Sequence, residues 1–323
     1  MASKILIVSV IALIVIVGAG IYFSGFLFPQ QTATVRVGHL TGDLHHLALF
    51  VARNQGYFEQ SGIKIELKEY ANGPLLMQDF LAGELDFAYV GAPPAISARA
   101  KGMSDPNAHL PVVIASVNLE GSAIVVDGSI ESPEDLSGKI IGTPGTGTIQ
   151  DILLSMYIRD HNLTLTKSPM SISYLPIEFS KGTINGFIGW EPAPSIAVVQ
   201  SGAHVLLTSK DLFENHQCCV LVVSNKFLAS HQDLVSKFAA AHKLANNYII
   251  NNPAYAKQLA MNITGHSSQL IDLALSHIVY TSTPDPVSMK TFLHAMIDLN
   301  VVTTLTHEQV DDFINAFIDT RFI

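Results

Sequence analysis

Two hydrophobic periods alternate along this chain, and the switch between them is sharpest from Val35 to Ile63. Val35 and Val37 open an apolar strand that stops at the polar loop Gly38-His39-Leu40-Thr41-Gly42. Asp43 then stands where a helix N-cap is expected, and Leu44, Leu47, Ala48, Val51 and Ala52 recur at helical spacing. Gly56 and Gly62 stop the helical segments, after which Ile63, Ile65 and Leu67 alternate with Lys64, Glu66 and Lys68. The pattern is a βαβ unit whose first strand delivers its carboxyl end to a helix start, the edge at which open α/β sheets hold ligands. The same alternation continues. Asn72-Gly73-Pro74 starts a helix, Phe87 to Val90 is a buried strand, and Gly91-Ala92-Pro93-Pro94 leads into a helix through Ala100. Further strands are predicted at Val112 to Val117, Ala123 to Val126, Lys139 to Gly142, Ser171 to Leu175, Gly186 to Trp190, Val205 to Leu207 and Cys218 to Val223. A helix is predicted from Ile149 to about Asp160, and another from Glu191-Pro192 to about Gln200. The remainder reads as helices near Asp233–Asn251, Pro253–Met261, Ser267–His277, Pro286–Leu299 and His307–Ile318. Strands alternating with helices predict an α/β sheet in each of two halves, followed by a helical C-terminal region.

Length and charge narrow the class. With 323 residues there is room for two cores, and a net charge of −9 without a basic run excludes a nucleic-acid partner. Ile5 to Phe28 is nearly continuous hydrocarbon, with Lys4 the only charge before it. Roughly 24 residues at ~1.5 Å each reach ~36 Å, enough for a hydrocarbon core of ~30 Å. A secretory h-region is usually ~7–15 residues. The segment is therefore read as an uncleaved N-terminal transmembrane helix, with a cleaved signal ending near Thr32-Ala33 as the rival. Both readings put the rest of the chain outside the cytoplasm. The only cysteines, Cys218 and Cys219, are adjacent, which rules out a loop-closing disulfide framework. They are expected to be buried strand residues, with a vicinal disulfide as the alternative.

Four runs carry a family resemblance: Ala52 to Ile63, Leu81 to Ile96 (LAGELDFAYVGAPPAI), Ser132 to Gly147 (SPEDLSGKIIGTPGTG) and Ile184 to Ala197 (INGFIGWEPAPSIA). In this order they resemble the solute-binding proteins of ABC transporters for nitrate, sulfonate, taurine and thiamine-pyrimidine compounds. The resemblance implies a type II periplasmic-binding-protein fold, two lobes on a two-strand hinge that close on a guest. The expected organisation is 1–33 anchor or signal with linker, 34–120 first lobe, 121–217 second lobe, and 218–323 the return strand with the C-terminal helices. It implies a non-enzymatic, extracytoplasmic receptor that captures a small organic anion or zwitterion and presents it to permease subunits. It further implies a monomer without cofactor. A thiamine-type pyrimidine or another neutral heterocycle is the alternative guest. A pyrimidine-synthase-like enzyme and a ligand-sensing ectodomain are the alternatives of other classes.

The candidate contacts lie on loops at strand ends. Thr146, Gly147 and Thr148 sit in a glycine-rich turn at a helix start, where converging N–H groups can receive an anion; a plain turn is the alternative. No Gly-Lys-Ser/Thr follows, so a Walker loop is excluded. Thr41, Asp43 and His45 come from the first loop. His45 and His46 are expected about 100° apart on a helix, one toward the cleft and the other on the surface. They lack the i, i+4 spacing of helical metal ligands, so no metal is expected. Gly91 and Ala92 shape a wall, Asn118 lies near the hinge, and Trp190 and Glu191 end a strand facing the same crevice. Trp190, the one tryptophan, offers a flat face, with buried packing as the alternative, and Glu191 can accept hydrogen bonds from an amino group or simply open the helix beside Pro192. No lysine or arginine occurs in these loops, which leaves room for a zwitterion or a neutral heterocycle.

Overall fold

The computed structural model describes residues 32–323, so the proposed anchor at Ile5 to Phe28 lies outside the described residues. Among the described residues no helix is long and apolar enough to cross a membrane.

The first strands, β1 (Ala33–Leu40), β2 (Ile63–Tyr70), β3 (Phe87–Gly91) and β4 (Pro111–Glu120), begin one sheet. The chain then crosses to a second sheet made of β5 (Ser122–Val126), β6 (Ile140–Thr143), β7 (Thr166–Pro169), β8 (Gly186–Trp190) and β9 (His204–Thr208). It returns through β10 (Gln217–Ser224), and β11 (Ile278–Tyr280) completes the first sheet. The orders are β11-β4-β10-β3-β1-β2 and β7-β6-β8-β5-β9. β1 pairs parallel with β2 and β3, whereas β10 runs antiparallel between β3 and β4. Every residue of β3, β5, β8 and β10 is buried, which explains their continuous rather than alternating hydrophobic runs.

The two crossings lie side by side. Glu120 and Gly121 both have positive φ, 57° and 94°, so the chain turns sharply between β4 and β5. The Glu120 N–H donates to the His216 carbonyl at 3.2 Å, and the Asn215 N–H donates to Glu120 Oε1 at 2.9 Å. The crossing chains are thus bonded to one another.

The core of the six-stranded half centres on Phe238 of the long helix Gln232–Asn251. Its ring stacks on Phe87 of β3 at a centroid distance of 4.0 Å and lies 4.8 Å from Phe58. This helix packs on the helices Leu47–Asn54 and Tyr57–Gln60, as its apolar stripe requires. The C-terminal helices do more than buttress that half, because Ser268–Ser276 also packs on Ala193–Ser201 of the other.

One predicted strand is corrected. Ser171 to Leu175 is not extended: Ile172–Tyr174 forms a 3-10 turn that runs into the helix Leu175–Ser180. The edge strand is Thr166–Pro169, mostly exposed and without the apolar pattern by which it would be read. Pro176 in the first turn of a helix, not a strand interior, was the overlooked signal.

Candidate functional site

The carboxyl ends of β1, β3, β6 and β8 converge where the halves meet, opposite the start of β10. The first loop is shaped by Asp43, whose Oδ1 accepts the His45 N–H at 2.8 Å and caps the 3-10 turn Leu44–His46. Because the segment is 3-10 rather than α-helical, the two histidines diverge inward. The expectation that one lies on the surface fails, since both are buried. His46 Nδ1 accepts the Leu40 N–H at 3.2 Å, and burial holds its pKa well below the usual range. His45 faces the cleft.

His45 is held on every side. Its Nε2 lies 2.8 Å from the Gly121 carbonyl oxygen, which makes Nε2 the protonated nitrogen. Its Nδ1 lies 3.2 Å from Asp43 Oδ1, 3.6 Å from Cys218 Sγ and 3.7 Å from Cys219 Sγ. Successive strand residues normally point to opposite faces, but the β10–β4 ladder is irregular between Gln217 and Cys219 and again before Val220. Such a bulge re-aims a side chain, and here both sulfurs reach the same imidazole.

Burial sets the electrostatics. It pushes the Asp43 carboxyl up to about 6 despite the neighbouring His45. Burial also opposes charge on His45, yet Asp43 and Cys218 outweigh it and raise its pKa. For Cys218 burial is overcome by the Cys219 thiol and by His45, which draw its pKa well below the usual thiol range. Cys219, buried beside that sulfur, is pushed well above it. Both thiols are free, 3.8 Å apart.

Between the halves lies a small cavity of ≈ 10 Å³, room for about one water. Of the candidate residues, Asp43, His45, Gly91, Thr148 and Trp190 line it. Leu40, Gly73, Pro94, Gln150 and Cys219 line it as well. Gln150 donates from Nε2 to Ser122 Oγ at 2.9 Å, while its buried Oε1 has no partner among the described residues. Trp190 also borders a wider groove of ≈ 340 Å³ shared with Thr41, Ile172, Pro176 and Ile263.

The remaining candidates stand elsewhere. Thr41 is exposed in the groove, its hydroxyl donating to the Tyr70 carbonyl at 3.2 Å. Glu191 is buried outside the cavity lining, its Oε1 2.6 Å from His277 Nδ1 and its Oε2 accepting the Ser195 N–H. Ala92 is buried behind Gly91. Asn118 donates from Nδ2 to the Leu119 and Glu120 carbonyls. Thr146 is exposed. The glycine-rich turn satisfies itself: the Gly147 N–H donates to Asp151 Oδ2 at 2.9 Å, and Thr148 Oγ1 donates to the Gly145 carbonyl at 2.8 Å. The anion expected from a ligand is supplied by the chain's own Asp151.

Comparison with known proteins agrees with this architecture. A protein of Brucella abortus named as a binding protein is 27% identical over 224 residues, 68% of each chain. Among solved structures, the alkanesulfonate-binding protein SsuA of Xanthomonas axonopodis pv. citri superposes with a TM-score of 0.73 at 18% identity, over 88% of this chain and 98% of its own. The periplasmic nitrate-binding protein NrtA of Synechocystis PCC 6803 gives 0.79 at 13% identity, over 90% and 87%. These structures share the α/β periplasmic-binding-protein fold, two sheets flanked by helices. The NMT1-like family matches residues 29–264, and the chain belongs to that family.

Proposed function

We propose that this protein is the extracytoplasmic solute-binding component of an ABC importer and that it captures its guest between the two sheet halves. The lobes in this reading are 34–120 with 218–323, and 121–217, tethered by the segment before residue 33. The relatives named for binding sulfonate and nitrate support the class. The cavity argues for a different guest. Its polar lining includes the Asp43 carboxylate, the free Gln150 Oε1, His45, Thr148 and the Cys219 sulfur, with no lysine or arginine. An acceptor-rich, water-poor site favours a guest that brings positive charge or N–H donors, because low dielectric strengthens each such contact. An anion there would meet Asp43, and the turn that would have received it is filled by Asp151. The aminopyrimidine or cationic class is therefore preferred over nitrate and sulfonates.

The test is thermal denaturation and Trp190 emission of the purified chain across nitrate, taurine, alkanesulfonates, an aminopyrimidine and divalent cations. Donor-bearing or cationic solutes are expected to raise the Tm and shift the emission. A response to sulfonates alone overturns the assignment, and turnover of any solute overturns the non-enzymatic reading.

A further inference from the structure

The cleft floor carries a donor set that solute capture by hydrogen bonding does not require. Zn–S bonds of ~2.3 Å and Zn–N bonds of ~2.0–2.1 Å at tetrahedral angles place two sulfurs about 3.8 Å apart and a sulfur about 3.6 Å from a nitrogen. The same bond lengths put a nitrogen about 3.3 Å from a carboxylate oxygen. The observed separations are 3.8 Å between Cys218 and Cys219 Sγ, 3.6 and 3.7 Å from these to His45 Nδ1, and 3.2 Å from Nδ1 to Asp43 Oδ1. His45, Cys218 and Cys219 converge within 4.8 Å, as do Asp43, His46 and Cys219. The three edges of the Cys218–Cys219–His45 face are thus already at the spacing a zinc ion needs, with Asp43 Oδ1 beside Nδ1.

A second observation is independent of those distances. A metal-ligating histidine usually donates its other ring N–H to a carbonyl or carboxylate, which fixes the tautomer. His45 does this through Nε2 to the Gly121 oxygen, leaving Nδ1 toward the sulfurs. Gly121 is shaped for it: a Cβ there would lie 2.1 Å from Nε2, at a backbone φ of +94°. Access is through the small cavity, because Asp43, His45 and Cys219 line it, and its ≈ 10 Å³ suits one atom.

We infer that the guest of this cleft is a thiophilic transition-metal cation, zinc(II), held by Cys218, Cys219 and His45, with the Asp43 carboxylate beside them. This names the guest within the cation-accepting reading above and rests on it. Binding such a cation displaces the protons these side chains still hold, so uptake releases acid. The ligands come from two places 173 residues apart in sequence, brought together by the bulge in β10.

The full chain, purified with a reductant and stripped with a chelator, is titrated with cobalt(II) as a spectroscopic probe and with zinc(II) by calorimetry. Expected are one equivalent bound, intense visible bands of tetrahedral cobalt, and a sulfur-to-cobalt charge-transfer band. Cys218→Ser with Cys219→Ser should abolish that band and weaken zinc at least ~100-fold, and Gly121→Ala should weaken it ~10–100-fold. Cobalt bound without the sulfur band in the unaltered chain overturns the inference, whatever the variants do. So does undiminished zinc affinity in the double serine variant. If zinc fails while an aminopyrimidine raises the Tm, the metal assignment falls and the receptor reading stands. If neither zinc nor any solute moves Tm or Trp190 emission, both fall.

Discussion

His277 and Glu191 meet across the interface of the two halves, Nδ1 to Oε1 at 2.6 Å, with the carboxylate wholly buried and only the imidazole edge in reach of water. Glu191 follows β8, and His277 closes the helix that packs on both halves. The pair therefore clasps the two halves together. The hydrogen bond to Glu191 and its charge raise the His277 pKa above its ordinary 6.5, although partial burial opposes this. A raised folded-state pKa means that the stabilisation is complete below about 6.5 and fades as pH climbs through the folded value. Unfolding free energy should thus fall from pH 6.5 upward, and His277→Ala should make that slope shallower, the remainder coming from His45. The loss at low pH is expected to be about 1–2 kcal/mol, below the ~1.5–3 of a charged hydrogen bond because the ring is partly wet. Denaturant melts at several pH values decide it, and an unchanged slope sinks the clasp.

Gly121 and Gly128 form a matched pair of substitutions. A methyl at Gly121 meets the His45 ring and strains a left-handed backbone, whereas one at Gly128 meets nothing within 4 Å. Gly121→Ala is expected to cost about 1–3 kcal/mol. Gly128→Ala should stay within about 0.5 kcal/mol. Chemical denaturation of both variants checks the contrast, and equal effects would remove His45 from its place against the hinge carbonyl.

Asp151 fills the turn that a ligand anion was expected to fill, and it is paired with Lys167 Nζ at 2.6 Å. Replacing Asp151 with Ala frees the Gly147 N–H and leaves Lys167 beside it. That variant should gain sulfate affinity that the native chain lacks, visible as a sulfate-dependent rise in Tm. Sulfate binding by the native chain would show the turn to be a ligand site after all.

Phe238 tests the core apart from the cleft. Its truncation to Ala removes contact with Phe87 and Phe58 and should cost about 3–5 kcal/mol. Guest affinity of the folded fraction should be unchanged, since no residue of that cluster lines the cavity. A parallel loss of affinity would mean that the core and the cleft are coupled.

Much of the architecture is legible in the sequence because buried strands and amphipathic helices leave a local signature. Val35 to Leu67 shows both periods within 33 residues, and the strands at Phe87, Ala123 and Gly186 follow from unbroken apolar runs. Thr166–Pro169 escapes because an exposed edge strand carries no such run, and its neighbour Ser171–Leu175 is misread for its scattered apolar residues. The site is legible only where one loop makes it. Asp43 as a cap, and Trp190 and Gly91 at strand ends, follow from local spacing. The meeting of His45 with Cys218 and Cys219 depends on a return strand far along the chain and on a ladder irregularity that no spacing encodes. Gln150 is hidden for a similar reason, as its role comes from the tertiary position of a helix start.

The paired crossing segments carry one more consequence. Because Glu120 is bonded to Asn215 and His216, the two connections form a single short ribbon, about which the proposed opening of the halves would swivel. Asp43, His45, Cys218 and Cys219 all lie on one side of it, while Thr148, Gln150 and Trp190 lie on the other. On the proposed receptor reading, opening would leave the floor assembled and carry the roof away, so the guest would leave from an intact half-site.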